Sequence, residues 1–169
     1  MVFRSQPFDP DVHDVAHFTC GEPTLDGWLR EQARSATHRR TARTWVWVRD
    51  PGAVVGFYAL SAHKIARDDV PGKIGRGGPA EIPAVLIARF ALHVELRGQD
   101  LGQVLLADAL SRIVDATRVV AARVVVLDAL HEGVARFYER HGLRRIPGSL
   151  VWVQKMTDIE TALHQPPDP

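Results

Sequence analysis

Apolar and polar positions along the chain change period several times, and each change marks an expected element. Up to residue 23 no period is sustained, and Pro7, Pro10 and Pro23 prevent a long helix. This stretch is expected to be irregular, with at most a short strand near Val2 to Arg4. From there Leu25, Trp28, Leu29, Ala33 and Ala36 follow helical spacing, with Gln32 the exception. They predict an amphipathic helix to about Arg40, with Thr24 as its N-cap. Thr44 to Val48 and Ala53 to His63 read as strands on either side of Asp50-Pro51-Gly52, a turn sequence, and so predict a β-hairpin. Residues 64 to 82 carry Lys64, Arg67, Lys73 and Arg76 with Gly75, Gly77 and Gly78 and no hydrophobic period, and are expected to form a mobile surface loop.

Pro83 to Val94 is an apolar run interrupted by Arg89 and His93, the pattern of a central strand buried on both faces. The segment Arg97-Gly98-Gln99-Asp100-Leu101-Gly102 follows. Then Leu105, Leu106, Ala109, Leu110, Ile113, Val114 and Thr117 mark a helix, and Ala122 to Leu127 a second buried strand. A short helix from about Glu132 to His141 and a strand from Leu150 to Lys155 complete the pattern, and the tail from about 164 to 169, ending QPPDP, is expected to be disordered. No repeat or linker divides the chain, which predicts one mixed α/β domain over residues 1–169 with a central sheet of about six strands flanked by helices.

Composition narrows the class without naming a function. With 169 residues, 46% hydrophobic and 24% charged, the chain can bury a core and is neither disordered, collagen-like nor coiled-coil. Cys20 is the single cysteine, so no disulfide framework can form within the chain. The eight histidines show no ligand spacing, and no metal site is expected. No stretch reaches the roughly 18 apolar residues that span a bilayer, and the start lacks the apolar segment of a signal peptide, so no membrane association and a cytoplasmic location are expected. The net charge is only +1, yet the distribution is uneven. Lys64, Lys73 and Lys155 are the only lysines, and five arginines face one glutamate between residues 30 and 43. Arg30, Arg34 and His38 recur every four residues and line one helix face.

The candidate chemistry starts at the glycine-containing segment between the central strand and the long helix. A loop that opens a helix leaves backbone N–H groups aimed at one spot, where they and the helix dipole favour an anion such as a pyrophosphate. The segment is neither the GxGxxG dinucleotide fingerprint nor a P-loop. About 40 residues on, a helix carries Phe137-Tyr138-Glu139-Arg140-His141-Gly142-Leu143.

These two segments, in this order and on these elements, resemble the GCN5-related N-acetyltransferase (GNAT) superfamily, whose pyrophosphate signature is [QR]-x-x-G-x-[GA] and whose later helix carries an FYxxxGF-like segment. Phe18-Thr19-Cys20-Gly21-Glu22-Pro23-Thr24-Leu25-Asp26-Gly27-Trp28-Leu29 and Ile82-Pro83-Ala84-Val85-Leu86-Ile87-Ala88-Arg89-Phe90-Ala91-Leu92 narrow the resemblance to the TacT-like acetyltransferase toxins of toxin–antitoxin pairs. The resemblance covers residues 18 to about 156. It implies an acyl-CoA N-acyltransferase fold and acetyl-CoA as co-substrate. Backbone around Ala91, Leu92 and His93 would pair with the pantetheine arm. Arg97, Gly98, Gln99, Asp100, Leu101, Gly102 and Gln103 would hold the pyrophosphate, and Tyr138 would be the catalytic residue. It also implies charged tRNA as acceptor, a ribbon-helix-helix antitoxin as partner, and a homodimer. One position departs from the pattern: Asp100 stands where the signature has its first glycine, placing a carboxylate beside a phosphate site and removing glycine's freedom in φ.

Elementary chemistry supports the same residues. Acetyl transfer from a thioester to an amine needs a neutral amine and a proton for the departing thiolate. A phenol, with a reference pKa of about 10, is protonated at neutral pH and can supply that proton, which suits Tyr138; packing in a core is the alternative role for the same residue. No carboxylate stands out as a base, although Glu81 and Glu95 lie near the central strand, and an α-amine with a reference pKa of about 7.7–8.0 needs a base least. Arg30, Arg34, Arg39, Arg40, Arg76 and Arg89 are candidates for tRNA phosphates, with a solvated helix face as the alternative, and Arg43, Arg144 and Arg145 could add to them. Cys20 reads as a packed thiol. The leading expectation is a toxin that acetylates the α-amine of aminoacyl-tRNA and blocks translation. The alternatives are a GNAT enzyme for a small amine or a protein N-terminus, and a catalytically impaired binding or repressor subunit.

Overall fold

The computed structural model describes residues 3–165. In chain order the elements are β1 (Gln6–Pro7), α1 (Pro23–Gly27), a π-helical turn (Trp28–Gln32), α2 (Ala33–Arg39), β2 (Arg43–Arg49) and β3 (Ala53–Ala66). A 3-10 turn (Arg67–Asp69), α3 (Gly72–Gly75), β4 (Glu81–Leu92), a second 3-10 turn (Val94–Leu96) and α4 (Leu101–Ala116) follow. The chain continues with β5 (Val124–Asp128), a third 3-10 turn (Glu132–Val134), α5 (Ala135–Arg140), β6 (Arg144–Arg145), β7 (Val151–Lys155) and α6 (Met156–His164). The class is mixed α/β, as expected, with seven strands among the described residues where about six were expected; β1 and β6 are two-residue strands, too short for a period-2 pattern to reveal. Contacts group the chain into two compact units, residues 1–61 with 88–108 and residues 62–87 with 109–169. Strands β3 and β4 and helix α4 run through both.

In the first unit β1 pairs antiparallel with β2, and β2 with β3 from Arg43↔Leu60 to Arg49↔Ala53, which realises the hairpin around Asp50-Pro51-Gly52. A register shift between Trp47 and Val48 marks a bulge. The expected helix forms, and it begins at Pro23 with Glu22 as N-cap, so Thr24 is inside it; the N–H that proline lacks would be unbonded at that position in any residue. The π-helical turn accounts for Gln32: one extra residue resets the helical phase, leaving Gln32 exposed and the next residue, Ala33, buried. Trp28, Leu29 and Ala33 pack with Phe18, Val46, Phe57, Ala59 and Ala91. The Trp28 ring lies flat on Phe57 at 6.0 Å between centroids, and Phe18 meets Phe57 edge-on at 5.4 Å.

In the second unit β4 and β5 run parallel, paired from Ala84↔Val124 to Ile87↔Leu127, and β5 pairs antiparallel with β7, which pairs with β6. Its core is Val70, Ile74, Ile82, Ala84, Val124, Val126 and Val153. The expected mobile loop over 64–82 is largely ordered. Strand β3 continues to Ala66, Val70 and Ile74 are buried, and the Arg67 N–H donates to the Ala80 carbonyl at 2.9 Å. These apolar side chains are too sparse to form a period, and tertiary packing alone orders them. Helix α6 was not anticipated; Met156 and Ile159, three residues apart, are its buried contacts. The expected strand at Val2 to Arg4 lies partly outside the described residues and the described strand is at Gln6–Pro7, while the tail expected to be disordered falls outside them from residue 166. Among the described residues no helix is long and apolar enough to cross a membrane.

Ile74→Ala is expected to lower the free energy of unfolding by about 2–4 kcal/mol in chemical denaturation, as for a buried core residue; a mobile loop would show no change.

Candidate active site

In the first unit a polar bracket fixes the start of the glycine segment. Asp26, 6% exposed, accepts the Cys20 N–H at 2.9 Å and the Thr19 hydroxyl at 3.3 Å. The Thr19 carbonyl accepts the Val94 N–H at 2.9 Å, and the Cys20 carbonyl accepts the Arg97 guanidinium, which lies against Gly21. Gly21 sits at φ +86°, a left-handed conformation that strains any other residue, and a Cβ there would also press on the end of the Arg97 side chain. The Phe18–Leu29 motif therefore holds the chain that leaves β4. Burial, and next the bond with Asp26, push the Cys20 thiol up to about 12, which leaves it a neutral packed thiol.

Beyond the bracket, Gly98 (φ +74°) and Asp100 (φ +56°) turn the chain into α4. Asp100 thus occupies the left-handed region that the signature glycine would take at no cost, and aspartate tolerates it better than most residues. From Leu101 onward the first N–H groups of the helix have no partner within it, and Gly102 and Gln103 belong to that turn. The Gln99 side-chain amide donates to the Glu95 carbonyl at 3.1 Å, and Glu95 is paired with Arg49 at 3.2 Å on the surface. Just after β4 the His93 N–H donates to the Val55 carbonyl of β3 at 2.8 Å and the His93 carbonyl accepts from Leu96, so both of its backbone groups are engaged. Strand alternation gives Ala91 the direction of His93 and turns the Leu92 backbone to the opposite edge.

In the second unit Tyr138 lies on α5, 5% exposed, its ring 5.5 Å from Trp152 and 5.4 Å from Phe137. Burial pushes its phenol up to about 12, because tyrosinate would lose its hydration there. Arg145 lies over the Trp152 ring at 5.2 Å and binds the Glu132 carboxylate through both terminal nitrogens. That pairing raises Arg145 and lowers Glu132. A cavity of about 730 Å³ in this unit is lined by Ile65, Asp69, Val126, Asp128, Arg145 and Ile146, among others.

The arginines singled out from the sequence have different occupations. Arg30 donates to the Phe18 carbonyl at 2.8 Å, which ties its helix to the bracket. Arg89 is half-buried over the Trp28 ring at 5.4 Å and donates to the Ala88 carbonyl at 2.6 Å. Arg34 makes only a loose surface pair with Asp11 at 3.7 Å; Arg39 is exposed, and Arg40 is the exposed left-handed cap of α2 at φ +60°. Arg76 is exposed in the second unit. The roles of Asp26, Thr19 and Gly21 were not read from the sequence, although the motif that contains them was.

No protein-family model matches the chain. It is 39% identical over 128 residues to the tRNA-acetylating toxin of Mycobacterium tuberculosis, a match spanning 76% of each chain. The chain belongs to the tRNA-acetylating toxin family. A probable toxin TacT of Sinorhizobium fredii is 32% identical over 152 residues, 84% of each chain. Among solved structures, AtaT complexed with acetyl-methionyl-tRNAfMet superposes with a TM-score of 0.87 at 23% identity, over 95% of this chain and 99% of AtaT. A tyrosine-to-phenylalanine mutant of AtaT bound to the C-terminus of its antitoxin AtaR and to acetyl-CoA gives 0.82 at 22% identity, over 96% and 99%. These likenesses show the toxin fold, and the resemblance read from the sequence is met at the level of both fold and family.

In this toxin-family chain the phenol of Tyr138 has a signature in stability. Its folded value, about 12, lies above the unfolded value near 10, so its contribution is full below pH 10 and is lost as pH rises through 12. Between pH 10 and 12 the wild-type chain is expected to lose up to about 2–3 kcal/mol more unfolding free energy than Tyr138→Phe; parallel curves in urea titrations would refute the burial of the phenol.

Proposed function

We propose that this chain is one acetyltransferase domain that transfers acetyl from acetyl-CoA to the α-amino group of aminoacyl-tRNA, acting as a cytoplasmic toxin that blocks translation and is neutralised by an antitoxin. The observation that carries the reading is the local construction of α4: a bracketed loop with two left-handed residues leads from the end of β4 into a helix start whose first N–H groups have no partner within the helix, a place where a pyrophosphate is favoured. Relatives named for tRNA acetylation and a neighbour bound to acetyl-CoA support it. The Leu92 backbone, turned away from β3, is the group suited to the pantetheine arm next to Ala91, and Arg34, Arg39, Arg40 and Arg76 are exposed cations suited to tRNA phosphates.

The chemistry needs little from the protein beyond positioning. The neutral α-amine attacks the thioester carbonyl, the new C–N bond forms as the C–S bond breaks, and the thiolate takes the proton of the Tyr138 phenol. The ammonium formed at nitrogen releases its proton to solvent, and Tyr138 is reprotonated from there. A phenol raised to about 12 is never short of its proton at neutral pH, so the rate should follow the ionisation of the acceptor amine. The 730 Å³ cavity has the volume of a small-ligand site and suits the aminoacyl end.

With labelled acetyl-CoA, label is expected in charged tRNA and absent from uncharged tRNA, peptides and polyamines. Tyr138→Phe should reduce the rate by about 10²–10⁴-fold, and the wild-type rate should rise through about pH 7.7–8.0 to a plateau. Label on peptides or polyamines alone would overturn the reading. Asp100→Gly removes a carboxylate from the phosphate site and is expected to tighten acetyl-CoA about fivefold in calorimetry, a gain of about 1 kcal/mol. An unchanged affinity would show that Asp100 does not face the phosphates.

A further inference from the structure

The 730 Å³ cavity of the second unit is roomy enough for an amino acid of any size, so its volume by itself selects none of them. Its lining discriminates more. The floor is apolar: Ile65 of β3, Val70, Val126 of β5 and Val151 of β7 border the cavity and belong to one hydrophobic cluster. The ionisable groups that border it are Asp68 and Asp69 of the first 3-10 turn, Asp128 at the end of β5, Arg145 and His63. Asp128 follows Val126 by two residues, which puts both on one face of β5, and it is exposed where Val126 is buried. The cavity thus has a dry floor and an acidic edge.

The charge at that edge is one-sided. Arg145 binds the Glu132 carboxylate through both terminal nitrogens and lies over the Trp152 ring, so its charge is already matched by a residue outside the lining. Asp68 has Arg67 beside it, loosely, at 4.0 Å. Asp69 and Asp128 are in no ion pair among the described residues, and no lysine borders the cavity. Two carboxylates without a counter-charge therefore border the same space. An amino-acid side chain entering it gains by covering the floor and loses by bringing a negative charge to the edge. Like charge set against an incoming group is how a site rejects a ligand that would otherwise fit.

We propose that this cavity sorts acceptors by side-chain charge, with Asp69 and Asp128 making the enzyme reject aminoacyl-tRNA that carries aspartate or glutamate and accept the forms with neutral side chains. The inference rests on the reading of the cavity as the place of the aminoacyl end, and it names the class of amino acid that end carries. Glutamine and glutamate share a shape and differ by one charge, so this pair separates charge from size. Carboxylates at a water-exposed edge act through a high dielectric, which sets the discrimination at about tenfold and makes it weaken with salt.

The test is acetylation, at subsaturating RNA and at about pH 8, where imidazole carries no charge, of one tRNA body bearing in turn glutamine, glutamate, asparagine and aspartate, so that every contact to the nucleic acid is the same. The wild type should acetylate the two amide forms about tenfold faster than the two acids, and the ratio should shrink as salt is raised. Asp69→Asn with Asp128→Asn should raise the rate on the glutamyl form and bring the ratio of glutaminyl to glutamyl close to one. Asp128→Lys should turn the preference toward glutamate, an inversion that a merely structural role for Asp128 would not produce. Equal wild-type rates on the glutaminyl and glutamyl forms, or a ratio that the asparagine variants leave in place, would overturn the inference and leave the acetylation of aminoacyl-tRNA standing. Rejection of the amide forms too, with another aminoacyl form of the same tRNA accepted, would equally overturn it. Absence of acetylation on every aminoacyl form would overturn the proposed reaction and the inference with it.

Discussion

The carboxylate of Asp26 holds together the part of the molecule on which the glycine-containing loop after β4 depends. A carboxylate only 6% exposed is costly unless its oxygens are occupied, and here they are occupied by a backbone N–H and a hydroxyl from Cys20 and Thr19. With those two residues fixed, their carbonyls become fixed acceptors for Val94 and Arg97. The exit from β4 is thereby tied to a helix almost seventy residues earlier in the chain. Loops are mobile unless something external positions them; this one is positioned before any ligand arrives, so less ordering is left to binding.

The same economy explains the arginines. A count of charges suggests one basic face for RNA, yet Arg30, Arg89 and Arg97 are used internally, on a carbonyl, on a tryptophan ring and on the bracket. Guanidinium suits such positions because it stays charged, stacks flat on aromatic rings and offers several donors in a fixed plane. Of the arginines singled out from the sequence, Arg34, Arg39, Arg40, Arg43, Arg76 and Arg144 are exposed without such a side-chain role. The lysines, compact charges on flexible stems, stand at the surface in the second unit.

Tyr138 and Asp100 each set packing or backbone geometry against the proposed chemistry. Burial of the phenol disfavours its anion, which keeps it protonated at neutral pH and makes it a weaker acid, so the proposed proton transfer depends on positioning and not on acidity. Asp100 adopts the backbone geometry its loop requires and leaves a carboxylate near the place where phosphates are expected.

The sequence by itself determined the hairpin, β4, α4, β5 and β7, because each is long enough to display its own period, and it determined the family, because Phe18–Leu29, Arg97–Gly102 and Phe137–Leu143 are contiguous motifs. Tyr138 is singled out as a candidate for the same reason. Only the tertiary structure decided the order within 64–82, where Val70 and Ile74 pack without any local period, and the existence of α6, whose buried face amounts to Met156 and Ile159. Only it separated arginines that pack from arginines that face solvent, brought Asp69 and Asp128 to one cavity and raised the Tyr138 phenol. Periodicity and motifs are properties of neighbours along the chain, whereas burial and partnership depend on residues that folding brings together from far apart in sequence.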